Sequence, residues 1–333
     1  MTVKLAIVGC GAIAEQMHLP AAAAVPEVRI TALVDTDRDR RTRLQQTFNV
    51  PRAAEALEAV ADETDAVVLC TPPHTHRDLA LRALACGLHV LCEKPMANSC
   101  ADGEAMIAAA RRADRVLALA HVFRFYPSRR AVRDWIARQP PGRIRRVAVE
   151  QGGVYSWPAV SGYSMRRELT PGGVLLDSGI HPLDTLLWWC GPPQHVEYED
   201  DACGGLESNA RLNMISAGGY PVALRLSRTC ALRNEFVVET ADETLVLHAY
   251  STDRYAIRRG ARLEIVAAQS QRITADECSR RQLNDFLESI QGRHPPAVSG
   301  ADGAAVIGLI EKCYAIKRAR PLPTRAPLPG LTW

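Results

Sequence analysis

Val3-Lys4-Leu5-Ala6-Ile7-Val8 runs directly into Gly9-Cys10-Gly11-Ala12-Ile13-Ala14 at the start of the chain. A short apolar run rich in β-branched residues reads as a buried strand, and Gly-x-Gly-x-x-Ala at its end reads as the turn into a helix. Gly9 makes the tight turn, Gly11 lets the backbone approach a pyrophosphate, and Ala14 lets the helix lie close on the sheet. The N–H groups at the start of the helix face the phosphate charge. A second strand, Arg29 to Val34, ends in Asp35, an acidic residue at the distance where a carboxylate accepts hydrogen bonds from the adenosine ribose.

The same alternation continues. A polar helix (Arg38 to Thr47) is closed by Phe48-Asn49-Val50-Pro51, and Ala54 to Ala61 reads as a short helix. Strand Ala66–Cys70 stops at Thr71-Pro72-Pro73, and helix Arg77–Cys86 ends at Gly87 in the usual C′ position. Strand His89–Cys92 stops at Glu93-Lys94-Pro95, Ser99 caps a helix over 101–113, and Val116–Ala120 is a fifth strand. Strictly alternating strand and helix requires parallel crossovers, so this half is a doubly wound α/β sheet. Ligands bind beyond the carboxyl ends of such strands, which places Gly9, Asp35, Thr71, Lys94 and His121 on one rim.

From Arg143 the period shortens. Residues 144–150, 212–216, 222–226, 236–239, 245–247 and 263–266 read as short strands, with turns at 241–244 and 258–261, giving a large, mostly antiparallel open sheet. Its outer face carries enough Leu, Val and Phe to expect a second subunit over it. Two helices follow, 281–291 and 303–318, and then a Pro-rich tail from Pro321. The expected organisation is a dinucleotide-binding domain over 1–121, a substrate-binding α+β domain over 122–320 whose last helices pack back on the first domain, and the tail 321–333.

At 333 residues, 47% apolar and 23% charged, the chain suits two globular domains. A formal charge of +3 with no basic stripe argues against nucleic acid as a partner. There is no leader-like start and no apolar run long enough for a membrane helix, so the expectation is a cytoplasmic protein with its ten cysteines reduced. Cys86-x-x-His89-x-x-Cys92 has metal-like spacing, but a helix end followed by a strand scatters those side chains; no metal is expected.

Two constellations carry chemistry. Lys94, at the mouth of a buried strand, is expensive to desolvate unless it has work or a partner; beside a nicotinamide cation it can exchange a hydrogen bond with a substrate hydroxyl. The second is Gly172-Gly173-Val174-Leu175-Leu176-Asp177-Ser178-Gly179-Ile180-His181-Pro182-Leu183-Asp184. Asp177 and His181, four apart, share one face of a helix, and histidine is the side chain best suited to take a proton near neutral pH. A buried structural pair at a helix start is the other reading of these two residues. Tyr155-Ser156-Trp157 and Tyr163 to Arg167 offer aromatic and hydroxyl groups for a sugar ring, with Arg167 placed to meet an anion or to remain solvated.

Gly-Cys-Gly-Ala-Ile-Ala, Glu-Lys-Pro-Met-Ala and the Asp177–His181 stretch, in this order, resemble the Gfo/Idh/MocA family of glucose–fructose oxidoreductase and inositol 2-dehydrogenase. The resemblance implies a Rossmann domain followed by an α/β domain with an open sheet through which subunits form homodimers or homotetramers. It also implies hydride transfer between a secondary alcohol of a sugar, nucleotide sugar or cyclitol and NAD or NADP. By resemblance, His181 is the general acid/base, Lys94 holds the reacting oxygen and relays its proton, and Asp177 orients both. Gly9, Gly11, Ala12, Ile13, Asp35, Arg40, Thr71, Pro72, His76, Glu93, Lys94 and Arg124 are its cofactor contacts. The expected substrate contacts are Lys94, Asp177 and His181 by resemblance and Tyr155, Trp157, Tyr163 and Arg167 by residue type, while His121 either touches the nicotinamide or the substrate or is a satisfied rim histidine. The peptide before Pro95 is expected to be cis. Where many members have Asn and Arg after the fifth strand, this chain has Val122 and Arg124. Asp35 favours NAD because a carboxylate repels a 2′-phosphate, whereas Arg38, Arg40 and Arg41 lean towards NADP. Two other readings of the family fold are a redox-neutral enzyme that retains its NAD and a non-catalytic dinucleotide-binding regulator.

Overall fold

A computed structural model describes residues 2–156, 158 and 162–319. Trp157 and the Pro-rich tail lie outside the described residues. The chain divides into two units. The first comprises Met1–Phe125, Pro158–Tyr163 and Thr274–Gly308, and the second Tyr126–Trp157, Ser164–Ile273 and Leu309–Trp333.

Strand β1 (Val3–Val8) is followed by a π-helical turn (Ala14–His18) and α1 (Leu19–Ala23), then β2 (Val28–Val34), α2 (Arg38–Phe48) and β3 (Arg52–Ala54). The second half of this unit runs β4 (Ala66–Leu69), α3 (His76–Ala85), β5 (His89–Cys92), α4 (Cys100–Ala113) and β6 (Leu117–Leu119). The six strands are parallel, in the order β3-β2-β1-β4-β5-β6. The order reverses between β1 and β4, the point where such sheets open a ligand crevice. β4 is wholly apolar and buried, and β1 and β5 are so apart from Lys4 and His89, because helices cover both faces. Asp37 and Ser99 cap α2 and α4, accepting from the N–H of Arg40 and Asp102. Asn49 and Asp114 end those helices in the left-handed conformation.

Residues 54–61 do not form the expected helix. Arg52–Ala54 pairs with Ala32–Val34 as the sheet's edge strand, and two 3₁₀ turns follow, Leu57–Ala59 and Ala61–Glu63. Leu57 and Val60, the buried anchors, are three residues apart, which suits the tighter turn.

The second unit begins with α5 (Pro127–Ala137), β7 (Arg146–Gly152), α6 (Val174–Asp177), α7 (Ile180–Cys190) and β8 (His195–Asp200). Then come β9 (Asn209–Ile215), β10 (Pro221–Ser227), β11 (Glu235–Glu239), β12 (Thr244–His248), β13 (Arg254–Arg259) and β14 (Arg262–Ala267). Helix α8 (Ala275–Ile290) and the first half of α9 (Gly300–Ala315) fall in the first unit, and the short strand β15 (Arg318–Ala319) ends the described chain. The nine-stranded sheet runs β14-β13-β12-β11-β7-β10-β9-β8-β15, antiparallel except that β10 lies parallel to β7 and β15 to β8. Helices α5 and α7 cover one face: Arg129 stacks on Phe236 at 4.4 Å, and Trp189 meets the same ring edge-on at 5.3 Å. Sequence reading missed β8, β13 and α5. Charged residues dominate the first two, hiding an alternation in which Val196, Tyr198 and Asp200 turn inward.

Candidate active site

In the first unit, the glycine loop lies against the end of β4. Gly9 sits at φ +95°, and a Cβ there would come within 2.8 Å of the Cys70 carbonyl carbon and the Thr71 nitrogen. Only glycine takes that conformation in that space. Gly11 O accepts from Glu15 N at 3.1 Å, so the helix begins at the loop and the N–H groups of Ala12 and Ile13 have no preceding helical carbonyl to bond. The Asp35 carboxylate is fixed to this loop, with Cys10 N donating to Oδ2 at 2.6 Å and Asp37 N to Oδ1 at 2.8 Å. Carboxylate oxygens accept more than one bond, so the group retains capacity for a ribose hydroxyl.

The neighbouring arginines are already engaged. Arg40 lies 3.4 Å from Asp35 and 3.3 Å from Asp37, Arg41 donates to the carbonyls of Asp35 and Thr36, and Arg43 pairs with Glu15. These residues therefore fit a dinucleotide: a glycine cradle closed to any side chain, a helix start, and a carboxylate held beside the loop.

The rim continues through β4 and β5. Thr71 and Pro72 form the turn after β4, and buried His76 links the two strand ends: its Nε2 is 2.7 Å from Thr71 O and its Nδ1 2.9 Å from Pro95 O. Burial pushes the His76 pKa below its ordinary value, against the pull of the two carbonyls and Glu93. The Lys94–Pro95 peptide is cis. The buried Glu93 carboxylate accepts from Lys94 N at 2.9 Å and lies 2.8 Å from Nε2 of His18, the last residue of the π-helical turn. Burial alone would raise Glu93; His18 and Lys94 more than offset it and hold the carboxyl below its usual range. His121 is buried at the end of the rim. Arg124 is also buried and pairs with Asp302 at 2.9 Å. Gly9, Asp35, Thr71, His76, Glu93 and Lys94 thus share one edge. His18 escaped sequence reading because its role depends on a helix irregularity that no residue type announces.

In the second unit, Asp177 and His181 do not share one helix. Asp177 ends α6 and His181 is the second residue of α7, with Ser178-Gly179 between. At Gly179 a Cβ would meet Leu226 at 2.5 Å and the Leu175 carbonyl at 2.6 Å, so the chain turns against β10 there. Both side chains are half-buried. The His181 carbonyl accepts from Thr185 Oγ1 at 3.0 Å, and Arg129 donates to that hydroxyl at 2.6 Å, anchoring α7 on a buried guanidinium.

The glycines before α6 are there for close approach. A Cβ on Gly172 would overlap the Tyr314 hydroxyl at 1.9 Å, and one on Gly173 the Glu207 carbonyl oxygen at 2.0 Å. The buried Glu207 carboxylate accepts from Gly173 N (2.8 Å), Leu175 N (3.0 Å) and the Tyr314 hydroxyl (2.8 Å), holding the entry to α6. Neither Glu207 nor Tyr314 stood out in the sequence. Tyr155 lies with its hydroxyl 3.3 Å from Ser164, and Arg167 bonds the Gly204 carbonyl. Tyr163 is half-buried. Trp157 lies outside the described residues.

Two family models match in succession. Residues 3–121 match the oxidoreductase family with an NAD-binding Rossmann fold, and residues 129–246 match the GFO/IDH/MocA C-terminal domain. The class is that of NAD(P)-binding oxidoreductases, and the chain belongs to the Gfo/Idh/MocA family. It is 33% identical to 1,5-anhydro-D-fructose reductase of Ensifer adhaerens over 47% of each chain, so that match spans about half of the relative. It is 23% identical to D-glucoside 3-dehydrogenase of Escherichia coli, covering 93% of this chain and 94% of that one. Among solved structures it is similar to an aldose–aldose oxidoreductase from Caulobacter crescentus, with TM-score 0.86, 25% identity, and coverage of 95% and 97%.

Proposed function

We propose that the protein is an NAD-dependent dehydrogenase acting on a secondary hydroxyl, or the matching ketone, of a sugar, nucleotide sugar or cyclitol. The observation that carries this reading is Lys94 at the carboxyl end of β5, on the same edge as the glycine loop and Asp35. Relatives named as sugar reductases and dehydrogenases, among them dTDP-sugar 3-reductases, support the substrate class. When bound, the nicotinamide accepts or returns a hydride. Lys94 holds the reacting oxygen through its ammonium group. His181 takes the hydroxyl proton on oxidation and returns it on reduction, and Asp177 orients the imidazole. Asp35 favours NAD because its carboxylate, fixed by Cys10 N and Asp37 N, leaves a 2′-phosphate facing a negative charge.

The reading is tested by reduced-nicotinamide absorbance across sugars, inositols and nucleotide sugars, beside Lys94→Ala and His181→Ala. Each variant should lose on the order of 10²-fold or more in rate while still binding NADH. Variants that turn over at the wild-type rate would end the assignment.

We also read the outer face of the nine-stranded sheet as the surface on which a second copy packs. Ile265, Ala256, Val246, Val237, Ala148 and Ala223 lie in one register row across six strands of that face. Ile265 and Leu263 at its edge are 62% and 55% exposed. Ile265→Asp should shift the species seen by light scattering towards monomer; an unchanged mass argues against this surface.

A further inference from the structure

The end of β10 carries a guanidinium that the proposed chemistry does not use. Arg228 has a fixed main chain: its N–H donates to Ser208 O at 2.9 Å and its carbonyl accepts from Tyr155 N at 3.0 Å. Its side chain has poor company. Nη1 lies 3.3 Å from the Met165 sulfur, the guanidinium carbon lies 5.8 Å from the centre of the Tyr155 ring, and Nη2 is buried with no hydrogen-bond partner among the described residues. No carboxylate among the described residues pairs with it. An arginine stays charged at any working pH, and leaving its buried Nη2 unsatisfied is costly, although the residue as a whole is only half-buried. A thioether is a weak acceptor and an aromatic face a partial one, so neither replaces an oxyanion. Met165 is a flexible side chain, half exposed, and its sulfur stands where an oxygen of a ligand would make a charge-assisted bond. Tyr155, beside it, is one of the residues already read as meeting the sugar, and its hydroxyl lies 3.3 Å from Ser164.

We propose that Arg228 is a substrate-anion site: it receives an oxygen of a phosphate or carboxylate carried by the sugar, with Met165 moving aside and Tyr155 stacking on the ligand. The enzyme then prefers an anionic sugar to the neutral parent. This rests on the reading of the protein as a sugar dehydrogenase, and the experiment separates the two.

Wild type, Arg228→Met and Arg228→Lys are assayed with glucose, glucuronate, UDP-glucose and dTDP-glucose. In parallel, UDP, dTDP and glucuronate are titrated calorimetrically into enzyme saturated with NADH, so that the dinucleotide site is filled. In wild type, KM for at least one anionic sugar should be lower than for glucose by about 10-fold or more. Arg228→Met should raise that KM about 10- to 100-fold and leave the glucose values unchanged, with partial recovery in Arg228→Lys. Preference for the diphosphates points to a nucleotide-linked substrate and preference for glucuronate to a sugar acid; either supports the site. Equal KM for neutral and anionic sugars in wild type, or a variant that weakens both alike, overturns it. If no sugar turns over at all, the dehydrogenase reading fails by itself, and calorimetry still decides. Binding of an anion that vanishes in Arg228→Met upholds the site, and no binding to wild type removes it.

Discussion

Glu207→Gln is the substitution that most directly probes how the second unit holds Asp177. The change preserves shape and removes one acceptor. The carboxylate serves three donors: Gly173 N on Oε2, and Leu175 N with the Tyr314 hydroxyl on Oε1. An amide has one oxygen. It satisfies most by turning that oxygen to the two donors, which places its own NH2 against Gly173 N, 2.8 Å away in the wild type. Two donors then face each other in a buried site, since Glu207 is only 3% exposed. Hydrogen bonds to charged groups are worth about 1.5–3 kcal/mol, and an unsatisfied buried N–H costs about 1–3, so the expected destabilisation is about 2–3 kcal/mol. Tyr314→Phe removes one donor and leaves both backbone bonds, so about 1 kcal/mol is expected. The two changes share a carboxylate and should be non-additive by about 0.5 kcal/mol or more. Urea unfolding followed by tryptophan fluorescence measures this. Because α6 is four residues long and depends on that entry, kcat should fall in the same variant. A Glu207→Gln protein within about 0.5 kcal/mol of wild type would refute the reasoning, because that is the scatter of an ordinary surface change.

Asp35→Ala removes the carboxylate that binds Cys10 N and Asp37 N. NAD(H) should bind more weakly and NADP(H) should gain relative to it; an unchanged ratio of kcat/KM for the two cofactors contradicts the role given to Asp35. Stability should also depend on histidine protonation. His89 Nδ1 accepts from Val116 N at 3.0 Å, which requires the neutral ring, and burial together with Arg115 pushes its pKa down. A histidine depressed in the folded state contributes fully above its unfolded pKa of about 6.5, and its contribution is lost as pH falls from there through the folded value. His76, also pushed down by burial, acts in the same direction. Calorimetry should therefore find Tm falling between about pH 7 and pH 5, with a shallower fall in His89→Gln. Parallel curves for the two proteins would remove His89 from the account.

The doubly wound sheet was legible in the sequence because its determinants are local. A buried parallel strand needs a short apolar run, a dinucleotide loop needs glycine where the backbone turns and nears β4, and the acid at Asp35 follows from strand length. Chain order likewise gave Lys94 its place, since a residue just past a parallel strand reaches the rim whatever surrounds it. Residues 54–61 failed because Ala54 pairs with Val34 at the sheet edge and the rest forms 3₁₀ turns, with the buried anchors Leu57 and Val60 three residues apart. Strands β8 and β13 failed because their outward charges mask the alternation.

Only tertiary structure decided the rest. The spacing of Asp177 and His181 suggested one helix, and the chain instead ends α6 at Asp177 and starts α7 at Ile180, with Gly179 packed close to Leu226. Glycines 172 and 173 are pressed on by Tyr314 and Glu207, distant in the chain. His18 against Glu93, and Arg228 beside Met165 and Tyr155, likewise join residues far apart in sequence. Sequence fixes what each segment does by itself, through backbone conformation and the burial of its own apolar face. Which buried charge finds an acceptor, and which is left waiting for one, depends on side chains that only folding brings within hydrogen-bond distance.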